Sequence, residues 1–162
     1  RDIYRHLKDA RYCAIFACTL GMRSEQRLRL LASQNPLDGA LYDAGCSAFV
    51  EAAVEQMDRA VKLQARLLEM RGNWRFSPGY GDCPLTCQPQ VIAGLDATRI
   101  CGITVTQTNL LMPTKSVTAC IGLFEGAVRS SNSRPTCSIC RMRPTCAFRA
   151  RGETCYGAPV SL

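Results

Sequence analysis

Residues 12–20 read Tyr-Cys-Ala-Ile-Phe-Ala-Cys-Thr-Leu, an apolar run that stops at Gly21. Its length and composition predict a buried strand. Working outward, Asp2–Lys8 upstream reads as a short helix. Downstream, Arg23–Ser33 sets Leu28, Leu30 and Leu31 among charges, an amphipathic helix that stops near Asn35-Pro36. Leu37–Arg71 carries Leu37, Leu41, Ala44, Ala48, Phe49, Ala52, Met57, Ala60, Val61, Leu67 and Leu68 at helical spacing, with Gly72 as its expected C-cap. At 1.5 Å per residue this helix would extend ~50 Å, so it is expected to bend near Gly45 or to project beyond the sheet. Asn73–Gln90, punctuated by Pro78, Gly79, Gly81, Pro84 and Pro89, reads as a long loop. A short helix at Val91–Ala97, a half-buried strand at Ile103–Gln107, a turn at Asn109–Thr114 and a returning strand at Lys115–Phe124 complete the order. Strand–helix–helix followed by helix–hairpin predicts an α+β fold: a twisted, mainly antiparallel sheet flanked by helices, one of them long. The polar stretch Ser130–Arg134 reads as a linker, which divides the chain into a domain over 1–128 and a Cys-rich, metal-binding tail over 129–162.

Apolar residues make up 47% of the 162 and charged residues 20%, enough to bury a core and too apolar for a disordered tail. No apolar run approaches the ~20 residues a bilayer span needs, and no basic start leads into an apolar stretch and cleavage site. A cytoplasmic protein without a membrane partner is therefore expected. His6 is the one histidine, in a polar opening stretch, and reads as a solvated helix residue, which argues against imidazole-centred catalysis. Lys115 and Arg99 read as solvated strand-end charges.

The chain has eleven cysteines. Cys13, Cys18, Cys101 and Cys120 lie in apolar runs and read as small hydrophobes in a reducing compartment. The tail differs. Cys137, Cys140, Cys146 and Cys155 follow C-x2-C-x5-C-x8-C, separated by Arg and Pro with little apolar surface to bury them. Four thiols at this spacing point to a tetrathiolate metal or cluster site. Only the first half is a zinc-type knuckle, and the spacing follows neither common ferredoxin pattern, so zinc and iron–sulfur both stay open. From residue 129 onward six Arg face one acid, Glu153, a local net charge of +5. A tetrathiolate centre of about −2 charge would occupy part of that excess, which ranks nucleic-acid binding last.

The second unusual stretch is Arg75-Phe76-Ser77-Pro78-Gly79-Tyr80-Gly81-Asp82-Cys83-Pro84. Pro78-Gly79 sets a tight turn, the glycines let backbone amides approach a ligand, Tyr80 offers an aromatic face and Arg75 a carboxylate clamp. An ordinary surface loop anchored by Phe76 and Tyr80 is the plain alternative. Cys83 and Cys87 flank this loop as C-x3-C, a redox pair or ligands of a second metal, with no further partner close by in sequence.

The R-x-x-P-G-Y loop resembles the S-adenosylmethionine-binding loop of the activation domain of cobalamin-dependent methionine synthase. The likeness extends to the strand ending Thr19-Leu20-Gly21, the helix carrying Glu51, and RICGITVTQTNLLMPTKSVTA at 99–119, about Ala10 to Leu123 in all. The tail, closing on Cys146-Ala-Phe-Arg149, is similar to stand-alone activation-domain-like proteins with an iron–sulfur centre, which tips the metal expectation toward 4Fe–4S. The resemblance implies that Arg75, Ser77, Gly79 and Tyr80 line the S-adenosylmethionine site, largely through backbone groups. It also implies that Glu51 receives the ligand's ammonium end, and that a further N-terminal part precedes Arg1.

The function so implied is reductive reactivation of a corrinoid methyltransferase. Co(I) occasionally oxidises to inactive Co(II); one electron restores it, and methylation by S-adenosylmethionine drains that uphill equilibrium. The chain would hold a charged methyl donor in line with the cobalamin of a partner corrinoid protein, with the tail cluster passing on the electron from a donor protein. The rival reading is a non-enzymatic four-cysteine zinc or iron–sulfur protein, its tetrathiolate a structural staple, that docks on a partner through the basic tail.

Overall fold

Strand β5 (Ser116–Glu125) is the axis of the domain, hydrogen-bonded on one side to β1 (Tyr12–Thr19) and on the other to β2 (Met70–Gly72), both antiparallel. The computed structural model describes residues 2–126, 137 and 143–153, in two units spanning Arg1–Val128 and Arg129–Leu162. In the first unit α1 (Asp2–Leu7) precedes β1. Then α2 (Met22–Gln34) and α3 (Pro36–Leu67) lead into β2. Two short helices, α4 (Gln88–Gly94) and α5 (Ala97–Cys101), and a small hairpin of β3 (Thr104–Val105) with β4 (Leu111–Met112) come before β5. The described part of the second unit holds a 3₁₀ turn, Arg143–Thr145, and α6 (Ala147–Ala150). The fold is α+β with antiparallel sheets and one long helix. Among the described residues no helix is long and apolar enough to cross a membrane. The linker expected at 130–134 lies outside the described residues.

Alternation along β1 and β5 sorts side chains onto two faces. One face brings Phe16, Ala119 and Ile121 against Val54 of α3, with Ala14, Cys18, Val61, Val117 and Leu123 around them. Near the other face Ala17 packs on a second cluster, Ile92, Ala97 and Ile103 from α4, α5 and the residue before β3. Thr118 anchors α4 to the same face by donating to Gln88 Oε1 at 2.8 Å.

The α2–α3 corner follows from local chemistry. Asn35 Oδ1 accepts the Leu37 N–H at 3.0 Å, and Pro36 opens α3 where no amide donor is needed. Gly39 then lets the helices touch: a Cβ there would lie 2.7 Å from Ala32 Cα.

Five expectations are corrected. The run at 12–20 is an edge strand whose first residues are not covered: Tyr12, Cys13 and Ile15 are exposed. Helix α3 ends at Leu67; Glu69 takes the left-handed φ of 55° in the turn that follows, and Gly72 lies in β2, close to Lys62 and Ile121. The helix's 32 residues are continuous through Gly45, which leaves the expected bend or projection uncontradicted. Its buried stripe is Gly39, Cys46, Val50, Val54, Asp58 and Ala65, while Leu37, Leu41, Phe49, Met57, Leu67 and Leu68 are exposed. Finally, 103–107 contributes only β3, paired with β4, and not a hairpin with the 115–124 strand, which inserts between β1 and β2 instead. The helix expected at 91–97 begins three residues earlier, and Asp96, at φ 50°, separates it from α5.

Candidate functional site

The stretch after β2 continues along β5. Phe76 exchanges both backbone hydrogen bonds with Cys120, each 2.8 Å, and is buried. This fixes Arg75 beside α3, where its guanidinium donates through Nη1 to Glu55 Oε2 at 2.9 Å and through Nη2 to Glu51 Oε2 at 3.0 Å. Glu51 and Glu55 share one helix face because they stand four residues apart. Glu51 keeps a side-chain exposure of 62%, and Arg59 reaches Glu55 from the far side at 3.7 Å.

Beyond Phe76 the chain folds on itself. The Tyr80 N–H donates to the Ser77 carbonyl at 3.1 Å, the Cys83 N–H to the Tyr80 carbonyl at 3.0 Å, and the Gly79 N–H to the Cys83 carbonyl at 2.8 Å. Gly79 has φ 95°, and a Cβ would press on Leu85 at 3.1 Å. A Cβ on Gly81 would fall 2.6 Å from Asp2 Oδ2, and Asp82 Oδ1 accepts the Asp2 and Ile3 N–H groups at 2.7 and 3.0 Å. The glycines thus admit the α1 terminus and Leu85. The amides of Gly79 and Tyr80, expected to serve a ligand, close the loop's own turns. Ser77 is half-buried, and the Tyr80 ring is 66% exposed.

Of the five residues assigned to one ligand site, Glu51 and Arg75 are joined directly, and Ser77, Gly79 and Tyr80 form the adjoining turn. The carboxylates that Arg75 clamps are the chain's own. Glu55 completes the ion-pair group; its spacing from Glu51 was the available signal. A groove of about 910 Å³ at the start of β1 and end of β5, lined by residues such as Arg11, Tyr12, Met70 and Arg71, includes none of the five.

His6 departs from expectation. It is 5% exposed, packed against Trp74 and Phe76 at ring-centroid distances of 4.5 and 5.2 Å. Asn73 Nδ2 donates to the His6 carbonyl at 2.8 Å and contacts its Nδ1 at 3.2 Å, while Asn73 Oδ1 accepts the Gly122 N–H at 2.9 Å. Burial lowers the imidazole from 6.5 to about 4, with the Cys120 backbone pulling weakly the other way. A ring kept neutral between aromatic side chains is structural. Lys115 is also paired rather than solvated, 2.7 Å from Asp43 Oδ1 and 2.9 Å from Ser47 Oγ, and Arg99, on α5, pairs with Asp96.

The cysteines expected to be core hydrophobes are not fully buried: Cys13 is exposed, and Cys18, Cys101 and Cys120 are half-buried. In the tail Cys137 and Cys146 are half-buried free thiols, Cys146 directly preceding α6. Cys140 and Cys155 lie outside the described residues. Among the described residues no three His, Cys, Asp or Glu side chains are arranged to hold a metal ion. No protein-family model matches the chain, and no curated protein matches it. The residues themselves carry the functional reading.

Proposed function

We propose that this chain binds S-adenosylmethionine at the Arg75–Tyr80 turn and presents it to a partner corrinoid protein, reactivating a cobalamin-dependent methyltransferase of the methionine synthase type. The observation that supports this reading is the 3.0 Å Arg75–Glu51 contact, made across 24 residues of sequence. It joins the loop and the helix that the family resemblance assigns to one ligand.

The donor is a sulfonium with an ammonium and a carboxylate, a net monocation. Glu51, exposed while bonded to Arg75 through one oxygen, offers a carboxylate to the ammonium. Arg75 sets the rotamer of Glu51 and spares Glu55 and Glu51 mutual repulsion. The exposed Tyr80 ring gives a flat surface for the adenine or the sulfonium. With Gly79 and Tyr80 amides committed within the loop, side chains at this turn do the holding. Positioning is the contribution: the methyl passes from sulfur to Co(I) of the partner, leaving S-adenosylhomocysteine, and the protein transfers no proton.

The tail thiols suit a soft metal centre by donor type, and the two described ones are free and partly shielded. A 4Fe–4S cluster on Cys137, Cys140, Cys146 and Cys155 supplies one-electron chemistry when bound; zinc there would make the tail a structural staple. Anaerobically purified protein that is brown and bleaches with dithionite supports the cluster, and colourless zinc-loaded protein supports the docking module.

The decisive experiment mixes an oxidised corrinoid protein with reductant and S-adenosylmethionine, with and without this chain. Faster recovery of the methylated corrinoid spectrum with the chain, lost in Tyr80→Ala, is expected. Equal recovery in both mixtures overturns the reading.

A further inference from the structure

Helix α3 buries one stripe against the sheet and leaves the opposite face bare. Between Asp38 and Glu51 every exposed position is apolar or glycine: Ala40, Leu41, Ala44, Gly45, Ala48 and Phe49. Ala52, Leu63 and Leu67, also exposed, continue this face toward the other end of the helix. Leu37, Leu41, Phe49, Leu63 and Leu67 are each between 57% and 72% exposed. Together they present roughly 600 Å² of apolar surface, at the upper end of the largest patch on a typical monomer.

Gly45 points to what covers this face. It stands exposed in mid-helix, and a Cβ there would meet nothing within 4 Å. Alanine is the better helix former and would fit, so nothing within one chain calls for the missing side chain. A second helix passing close by does call for it. The charges point the same way. The exposed charged residues of α3 sort by end, with Asp38 and Glu51 before Ala52 and Arg59 and Arg66 after it. Among the described residues the Asp38 and Arg66 side chains make no ion pair or hydrogen bond. Each stands fourteen residues, two heptads, from Ala52, so both share its heptad position.

We propose that α3 is the interface of a homodimer, in which two copies lay this face together antiparallel about a two-fold axis at Ala52.

Such an interface is isologous, so every contact away from the axis occurs twice. Asp38 meets Arg66 of the second copy at both ends, and the space at Gly45 receives the Arg59 stem. Gly45, Ala48 and Ala52 let the backbones approach near the centre in shallow-angle packing, with Leu41, Phe49, Leu63 and Leu67 at their flanks. A contact from 38 to 66 is about 42 Å long. Two helices touching over that length bury about 800 Å² per copy, the standard size of a specific interface. An acidic end meeting a basic end makes the antiparallel sense the favoured one.

The test is sedimentation velocity on the whole chain, with excess reductant so that no intermolecular disulfide contributes. A dimer of about 36 kDa, twice the 17.8 kDa chain, is expected at about 100 μM protein. Ala52→Arg, at an exposed site, should give monomers with an unchanged circular dichroism spectrum. Asp38→Arg alone should weaken dimerisation about tenfold, and adding Arg66→Asp should recover most of that loss, because the pair returns with its signs exchanged. A monomeric unsubstituted chain would mean that something else covers the face, and overturns the proposal. So does a dimer that survives Ala52→Arg, one that Asp38→Arg leaves unchanged, or a double variant no better than Asp38→Arg alone. None of these readouts involves S-adenosylmethionine, so they stand or fall independently of methyl-donor binding.

Discussion

Acidification should unfold this domain through His6 before it does so through the carboxylates. The imidazole sits at about 4 in the folded chain against 6.5 when unfolded, because the aromatic pocket favours its neutral form. Below the unfolded value the denatured chain binds a proton that the native chain refuses. Stability is therefore complete above pH 6.5 and falls as the pH drops from 6.5 toward about 4. Across that whole window the loss approaches ~3 kcal/mol; between about pH 7.5 and about pH 5 it amounts to ~2 kcal/mol. Urea titration read by Trp74, the single tryptophan and 4.5 Å from the His6 ring, should show the midpoint fall by about 1 M over that interval. His6→Phe keeps an aromatic body in the pocket without a titrating group and should flatten the dependence, whatever its absolute stability. Equal midpoints at both pH values in the unsubstituted chain, or an undiminished fall in His6→Phe, would refute the reasoning.

Val54, with 0% exposure at the centre of the α3–sheet core, should cost about 2 kcal/mol on truncation to Ala, measured by urea unfolding. Gly39→Ala should lower stability by about 1–2 kcal/mol despite better helix propensity, since its Cβ meets the Ala32 backbone; an unchanged melting temperature would mean that α2 and α3 pack less closely. Glu25, buried, accepts from Thr114 N–H at 3.0 Å and Thr114 Oγ1 at 2.6 Å, and these bonds hold its carboxyl below the usual range. Glu25→Gln should lose about 1–2 kcal/mol at neutral pH, a gap that closes as the pH falls through the carboxylate range, where the native chain loses this contribution too. Arg75→Ala should cost under ~1 kcal/mol of stability, because its ion pairs are part-exposed, yet abolish the calorimetric heat with S-adenosylmethionine; retained binding would remove Arg75 from the site.

What could be read from the sequence followed from strong local signals. Asn35-Pro36 both stops α2 and starts α3, since the side-chain acceptor and the missing amide act within two residues. The 115–124 strand was recognisable by its apolar run, but its neighbours were not. Pairing depends on contacts far apart in sequence, and Met70–Gly72 is too short to announce itself. The buried face of α3 is hidden in the sequence for a related reason. Leu37, Leu41 and Phe49 outweigh Cys46, Val50 and Asp58 on any hydrophobicity scale, yet the narrow sheet selects the second set. Burial of Asp58 beside Lys62, which bonds to it at 2.7 Å, is invisible to a search for apolar stripes.

The loop illustrates a different limit. Its glycines suggest openings for a ligand, because a residue without a Cβ permits close approach by anything. The structure shows what approaches: Leu85 at Gly79 and the α1 terminus at Gly81. Sequence identifies the permission, and only three-dimensional neighbours identify the occupant.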